Sequence, residues 1–269
     1  GEAMLSERTL SGETLRPDDI NNSKLEDMSI SKMFQFKYME DIEACYALLS
    51  VSPVCLSKDN RTIHVKRNDE LIDLSPCIGI YQEAVFFGER SLDAQIKGYF
   101  LQHPKETFKL NTIADASLDE KILFLTALET KQERYQKQVT TPFVSDSEQK
   151  AIIERLSKIF IRDETVQVQC EIPFYEENSD HECFTAIGLC DVLKDDVIYE
   201  LKFVSELSHV HFLQCACYMI ALKIEKGILW NTRDNTRYEI HIPDRDAFLN
   251  AVAKATTKRK LERYYHPVI

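Results

Sequence analysis

FTAIGLCDVLKDDVIYELKFVSELSHVHFLQCACYMIAL, residues 184–222, is the stretch on which the reading of the chain turns. It reads as two strands and a helix. Phe184–Leu193 is apolar and rich in strand-forming residues. Lys194–Asp196 supplies the turn, and Val197–Phe203 returns as a second apolar strand broken only by Glu200 and Lys202. A turn centred between Asp195 and Asp196 sets Asp191 opposite Glu200, with Cβ atoms about 4.5–5.5 Å apart. Lys202 follows Glu200 by two residues and shares its face.

Two carboxylates on an otherwise apolar hairpin repel one another, and burial adds to the cost of their charge. A divalent cation held by both removes that conflict. All-oxygen ligation suits Mg²⁺ (or Mn²⁺) better than Zn²⁺. Such an ion lowers the pKa of a bound water and polarises a phosphoryl oxygen. An adjacent lysine holds or activates the water and offsets developing negative charge. A solvated hairpin face with an ordinary Glu–Lys pair is the alternative reading at this point.

Ser208–Leu222 is apolar all round, the mark of a buried helix. Gln214 and Tyr218 share one side of it, with His211 one turn earlier. A glutamine in such a helix needs partners, and a site next to it would provide them. A core tyrosine at 218 and a satisfied histidine at 211 are the plain alternatives.

Gly188-x-x-Asp191, Glu200-x-Lys202 and Gln214-x-x-x-Tyr218, in this order, resemble the PD-(D/E)XK nuclease superfamily. The order is most similar to the RecB-type exonuclease branch, where a QxxxY helix follows the ExK strand. The resemblance implies an α/β, restriction-endonuclease-like core with a mixed central sheet flanked by helices, plus a helical N-terminal portion. It implies that Asp191, Glu200 and the Leu201 carbonyl bind metal, that Lys202 handles water, and that Gln214 and Tyr218 orient the site or touch nucleic acid. Such nucleases often add an acid or histidine from an upstream helix. Within Ile78–Gln102, Glu89 is the first choice for it and Asp93 the second, against the plain alternative of surface carboxylates. Some relatives of this branch hold an iron–sulfur cluster through late cysteines; no cysteine follows Cys217, so that variant is set aside.

Elsewhere, Gly1–Met4 reads as a cloning remnant and residues 1–30 as a flexible tail. Residues 31–269 form one domain, with 31–160 mainly helical and 161–269 the catalytic core. Helices are expected over Ser31–Leu49, within Ile78–Gln102, over Ser117–Gln138 (Ser117 and Glu120 forming a capping-box pattern), over Ser145–Phe160, and from Arg245 to about Tyr264. Arg61–Leu74 reads as a hairpin turning at Asn68-Asp69. Thr165–Tyr175 alternates strictly and pairs with the strand from Phe184, with Glu171 a candidate to face the site. Gly227–Trp230 and Thr236–Ile242 form a further hairpin.

The 269 residues, 44% hydrophobic and 29% charged, describe a globular protein with no bilayer-spanning run. Eight cysteines with no CxxC pair suit a reducing cytoplasm. A net charge of −11 argues against a general nucleic-acid coat but leaves room for a local basic stripe, for which Lys254, Lys258, Arg259, Lys260 and Arg263 on the last helix are the candidates, with Lys258, Arg259 and Lys260 at its centre and a solvated helical face the plain alternative. No Gly-rich phosphate loop is present, so a helicase or recombination partner would act in trans. The expected activity is Mg²⁺-dependent cleavage of nucleic acid, with DNA as the polymer and exonucleolysis as the mode. The alternatives are a nuclease-like binding module without turnover and a restriction-type endonuclease.

Overall fold

The computed structural model describes residues 25–54, 59–65, 72–176 and 182–260. In chain order the elements are β1 (Met28–Ser29), α1 (Met39–Tyr46), β2 (Ser50–Pro53), α2 (Ser75–Phe87), α3 (Glu89–Gln102), a 3-10 segment (Pro104–Ile113), α4 (Leu118–Thr130), α5 (Arg134–Lys137), α6 (Asp146–Leu156), β3 (Thr165–Tyr175), β4 (Glu182–Lys194), β5 (Val197–Lys202), α7 (His209–Leu222), β6 (Lys226–Asn231), β7 (Thr236–His241) and α8 (Arg245–Thr256).

The strands form one mixed, seven-stranded sheet with helices on both faces, a restriction-endonuclease-like α/β arrangement. β3 pairs antiparallel with β4 along most of its length. The other edge of β4 is shared. β5 takes Val192, Leu193 and Lys194, pairing Val192 with Tyr199, while β1 lies parallel against Ala186 and Ile187. Residues 188–191 of that edge have no strand partner, so the sheet forks there. β6 runs parallel to β5, β7 antiparallel to β6, and β2 closes the edge on β7. Pro53 ends β2 at this outer edge, where its missing N–H costs no ladder bond.

One face of the sheet, carrying Val192, Leu201, Phe203 and Trp230, packs against α2, α3, α4 and α6. Trp230 is core, as its place in a strand implies, and its indole N–H donates to Asn235 Oδ1 at 2.8 Å. The other face, carrying Ala186, Ile198, Leu229 and Ile240, packs against α7 and α8. Every residue from Phe212 to Ile220 is buried, which is why α7 is apolar on all sides.

The β4–β5 hairpin has the register and turn read from the sequence; Asp195 and Asp196 both take the left-handed conformation that a tight hairpin turn requires. Several helical expectations are corrected. Ser31–Leu49 is helical only from Met39 to Tyr46; residues 30–36 form turns, and β2 begins at Ser50. The helix expected with Gly88 near its start is α3; Gly88, whose φ of 93° is closed to most side chains, separates it from α2, a helix that was not expected. The helix expected over 117–138 ends at Thr130, where Lys131 turns left-handed, and α5 follows as a separate turn. Ser117 caps α4 through the Glu120 amide, and Ser145 with Glu148 makes a full capping box on α6. The last helix stops at Thr256; the rest of its expected length runs through Thr257–Lys260, which are turns, to residues outside those described.

Residues 25–30, assigned above to the tail, are part of the sheet. The Leu25 amide donates to the Cys183 carbonyl at 2.7 Å, and Ile30 is fully buried. Of the expected Arg61–Leu74 hairpin, the turn at Asn68-Asp69 lies outside the described residues. Residues 61–65 are not a strand, though Ile63 and Ile72 are both buried in the helical face of the core.

Candidate active site

The fork in the sheet builds the site. Where the β4–β5 ladder ends, Asp191 takes over with its side chain: the Leu201 amide donates to Asp191 Oδ2 at 2.8 Å. Glu200 and Lys202 sit on one face of β5, as their spacing requires, with Lys202 Nζ 3.3 Å from Glu200 Oε1. A third carboxyl arrives from α2. That helix is apolar except for Gln82 and Glu83 in mid-course, and both are buried. Glu83 is only 5% exposed and faces Asp191 and Glu200 electrostatically.

Gln167 ties the carboxyls together. Its Nε2 donates to Glu83 Oε1 at 2.9 Å and to Asp191 Oδ1 at 3.4 Å. It stands opposite Asp191 in the β3–β4 register, between the Val166–Val192 and Val168–Cys190 pairs. Its φ is +50°, rare for a non-glycine residue inside a strand. At this point the pleat changes side: Val192 faces the helical core of α2 and α4, whereas Cys190 faces α7.

Burial pushes the Glu83 carboxyl well above the usual carboxylate range, and the charges of Asp191 and Glu200 push it further. Glu200 is likewise raised, by burial and then by Asp191. Asp191 is raised by burial, against the opposing pull of Lys202 and the Leu201 amide. Burial disfavours the Lys202 ammonium, but Glu200 and Asp191 outweigh it and hold its pKa above the ordinary lysine value. One ammonium thus faces three carboxyls that repel one another. Glu200 Oε2 is buried without a hydrogen-bond partner. Among the described residues no three such groups close into a ready-made cage. The donor set, oxygen only with an orphaned carboxylate oxygen, nevertheless fits a hard divalent cation.

The carboxyls line a cleft of about 1140 Å³, together with Lys202, Leu201, Gln167, Tyr218 and His211. Tyr218 packs beneath the fork: a Cβ on Gly188 would lie 3.1 Å from its Cε1, so the glycine permits the close approach. Burial, then Glu200 and Asp191, raise the Tyr218 pKa and keep the phenol neutral. Gln214 does not line the cleft. Its Nε2 donates to the Ser31 carbonyl at 2.7 Å and tethers the 30–36 turns, whose Ser31, Lys32 and Gln35 form one wall.

Residues 125–241 match the model of a family described as the PD-(D/E)XK nuclease superfamily. The matched segment is a PD-(D/E)XK domain. Asp191, Glu200, Lys202, Gln214 and Tyr218 of the PD-(D/E)XK domain all lie inside the match, while Glu83 lies upstream of it. No curated protein and no solved structure gives a significant match.

Other candidates are elsewhere. Glu89 is exposed at the start of α3 and Asp93 lines a separate apolar pocket; neither reaches the carboxyls of the PD-(D/E)XK domain. The upstream acid that the fold brings in is Glu83. Glu171 is exposed and outside the cleft. Arg259 is engaged with the fold: its Nε donates to Asp41 Oδ2 at 2.8 Å, its Nη2 lies 3.1 Å from Glu40 Oε2, and it stacks over Tyr38. Lys258 and Lys260 are exposed beside it, away from the cleft. No described helix is long and apolar enough to cross a membrane.

Proposed function

We propose that the cleft hydrolyses phosphodiester bonds of nucleic acid with the help of a divalent cation, Mg²⁺ or Mn²⁺. Asp191, Glu200 and the Leu201 carbonyl would hold the ion, with Glu83 as the upstream carboxylate. When bound, the cation supplies a water of lowered pKa and a Lewis acid for the phosphoryl oxygen. The chain does the rest. Lys202, kept protonated by its carboxylate neighbours, holds the attacking water and offsets the charge that builds on the phosphoryl oxygens. Gln167 fixes Glu83 and Asp191 relative to each other. Gln214 holds the Ser31 wall of the cleft, and Tyr218 presents a neutral phenol beneath the fork. The observation that carries this reading is the convergence of three carboxyls and one lysine on a fork in the sheet, with a buried Glu200 oxygen left unpartnered.

DNA as the polymer and exonucleolysis as the mode are the finer parts of the proposal. They are supported by the RecB-type motif order, with the ExK strand preceding the QxxxY helix. End-labelled single- and double-stranded DNA incubated with Mg²⁺ or Mn²⁺ should lose nucleotides progressively with the wild-type protein and stay intact with Lys202→Ala. Equal degradation by the two proteins would exclude the site, and discrete internal fragments from a plasmid would exclude the exonucleolytic mode.

A further inference from the structure

His211 is the third residue of α7 and lines the cleft with Lys202, Asp191 and Glu200. Its Nδ1 accepts the Ser208 amide N–H at 3.1 Å, closing the start of the helix. A ring nitrogen that accepts an N–H carries no proton. The neutral imidazole must therefore keep its proton on Nε2, on the side of the ring away from the cap. Among the described residues the ring makes no other hydrogen bond.

We propose that His211 is a substrate contact, donating its Nε2–H to a non-bridging phosphate oxygen of nucleic acid bound in the cleft. The proposal rests on the phosphodiesterase reading above. Its logic is one of supply. With the cation bound the site's carboxylates are ionised and are acceptors only, and a phosphate is an acceptor only, so each phosphate oxygen must meet a donor or the cation. Lys202 brings the ammonium and Tyr218 a phenol; His211 adds a donor without a charge, which can stand near Lys202 without repulsion. Burial and then the Lys202 charge push the imidazole down to about 4, so it stays neutral where carboxylates are ionised.

The helix start alone does not require an imidazole. Glutamate or glutamine three residues after a serine cap makes the same bond to the cap amide. What histidine adds is the second nitrogen. Metal ligation is the less suitable use for it: a free Nε2 lone pair would require the proton on Nδ1, which would break the bond to Ser208.

Three variants separate the two roles: His211→Ala loses both the acceptor for Ser208 and the donor, His211→Glu keeps only the acceptor, and His211→Gln keeps both, its Oε1 for the Ser208 amide and its NH2 as a donor. The expected result is KM for a DNA oligonucleotide raised roughly tenfold in His211→Ala and at least as much in His211→Glu with kcat little altered, and a KM near wild type in His211→Gln. The dissociation constant of a fluorescent phosphorothioate oligonucleotide should follow the same order. A second readout uses the wild-type protein: ¹⁵N-histidine spectra should show the Nε2–H tautomer for His211, with its signal moving when the phosphorothioate oligonucleotide is added. Unchanged KM and affinity in His211→Ala, rescue by His211→Glu as full as by His211→Gln, or an Nδ1–H tautomer, would overturn the proposal while leaving the nuclease reading standing. A wild-type protein that neither binds nor cleaves the oligonucleotide would remove the nuclease reading and this contact with it.

Discussion

Gln167 donates to Glu83 Oε1 at 2.9 Å from a backbone held at φ +50°, directly across the sheet from Asp191. One strained residue thus fixes the spacing of two carboxyls that come from elements far apart in the chain. Gln167→Gly keeps a residue at ease with positive φ and removes only the amide. It should fold normally and need about 10- to 100-fold more Mn²⁺ for half-maximal cleavage, the usual cost of losing a group that orients ligands. A metal titration of cleavage checks this, and an unchanged midpoint would show that Gln167 matters to the fold alone.

Glu83 and Glu89 provide a paired test of the upstream acid. Glu83→Gln should reduce cleavage by about 100-fold or more, by analogy with the loss of an electrostatic group in a dry site. Glu89→Gln, exposed at the start of α3, should behave as wild type. Rates measured side by side decide between them, and the reverse pattern would refute the assignment of Glu83.

The raised carboxyl pKa values at Glu83 and Glu200 carry a stability consequence whose sign is fixed. A carboxyl that holds its proton more tightly when folded gives the folded state more protons than the unfolded one, so stability falls as pH rises. The contribution is complete below the ordinary carboxylate range, near about pH 4, and is lost as pH rises through the folded-state values. The raised Lys202 value has the same sign but acts only above about pH 10. Without metal, the melting temperature should therefore drop as pH rises above the ordinary carboxylate range. Glu200→Gln should flatten that drop and raise the melting temperature at the upper end. Added Mn²⁺ should restore the wild type and not the variant. A pH slope unchanged in Glu200→Gln would contradict the account of its burial.

Gly188 is set by its neighbours. An added Cβ would lie 3.1 Å from Tyr218 Cε1 and 3.2 Å from Ile30 Cβ, closer than such atoms normally rest. Gly188→Ala should cost on the order of 1–3 kcal/mol by overpacking. Cleavage should fall as well, because the phenol beneath the fork is displaced. Thermal melting and rate assays together test this, and full activity in a destabilised variant would separate Tyr218 from the chemistry.

The hairpin and the helix after it were legible because their signals are local. A tight turn fixes register, and register fixes which carboxylate faces which, so the grouping of Asp191, Glu200 and Lys202 on one patch followed from spacing, while the roles proposed for them came from the resemblance. Glu83 was missed because its place depends on a long-range packing of α2 on the sheet. The signal was nevertheless available: Gln82-Glu83 interrupts an otherwise apolar helix, the same anomaly that drew attention to Gln214. Gln167 left no signal, since a left-handed residue inside a strand follows from tertiary constraint and not from the alternation around it. The Arg259 stripe looked free in sequence, whereas the fold spends it on Asp41 and Glu40 of α1. Residues 25–30 looked like tail because β1 is two residues long and owes its place to β4.

The most direct measurement is an anomalous difference map from a crystal soaked in Mn²⁺. The account predicts a peak at the fork, in contact with Asp191 and Glu200, that disappears in Asp191→Asn. A wild-type crystal with no peak there, or with manganese bound only elsewhere, would contradict it.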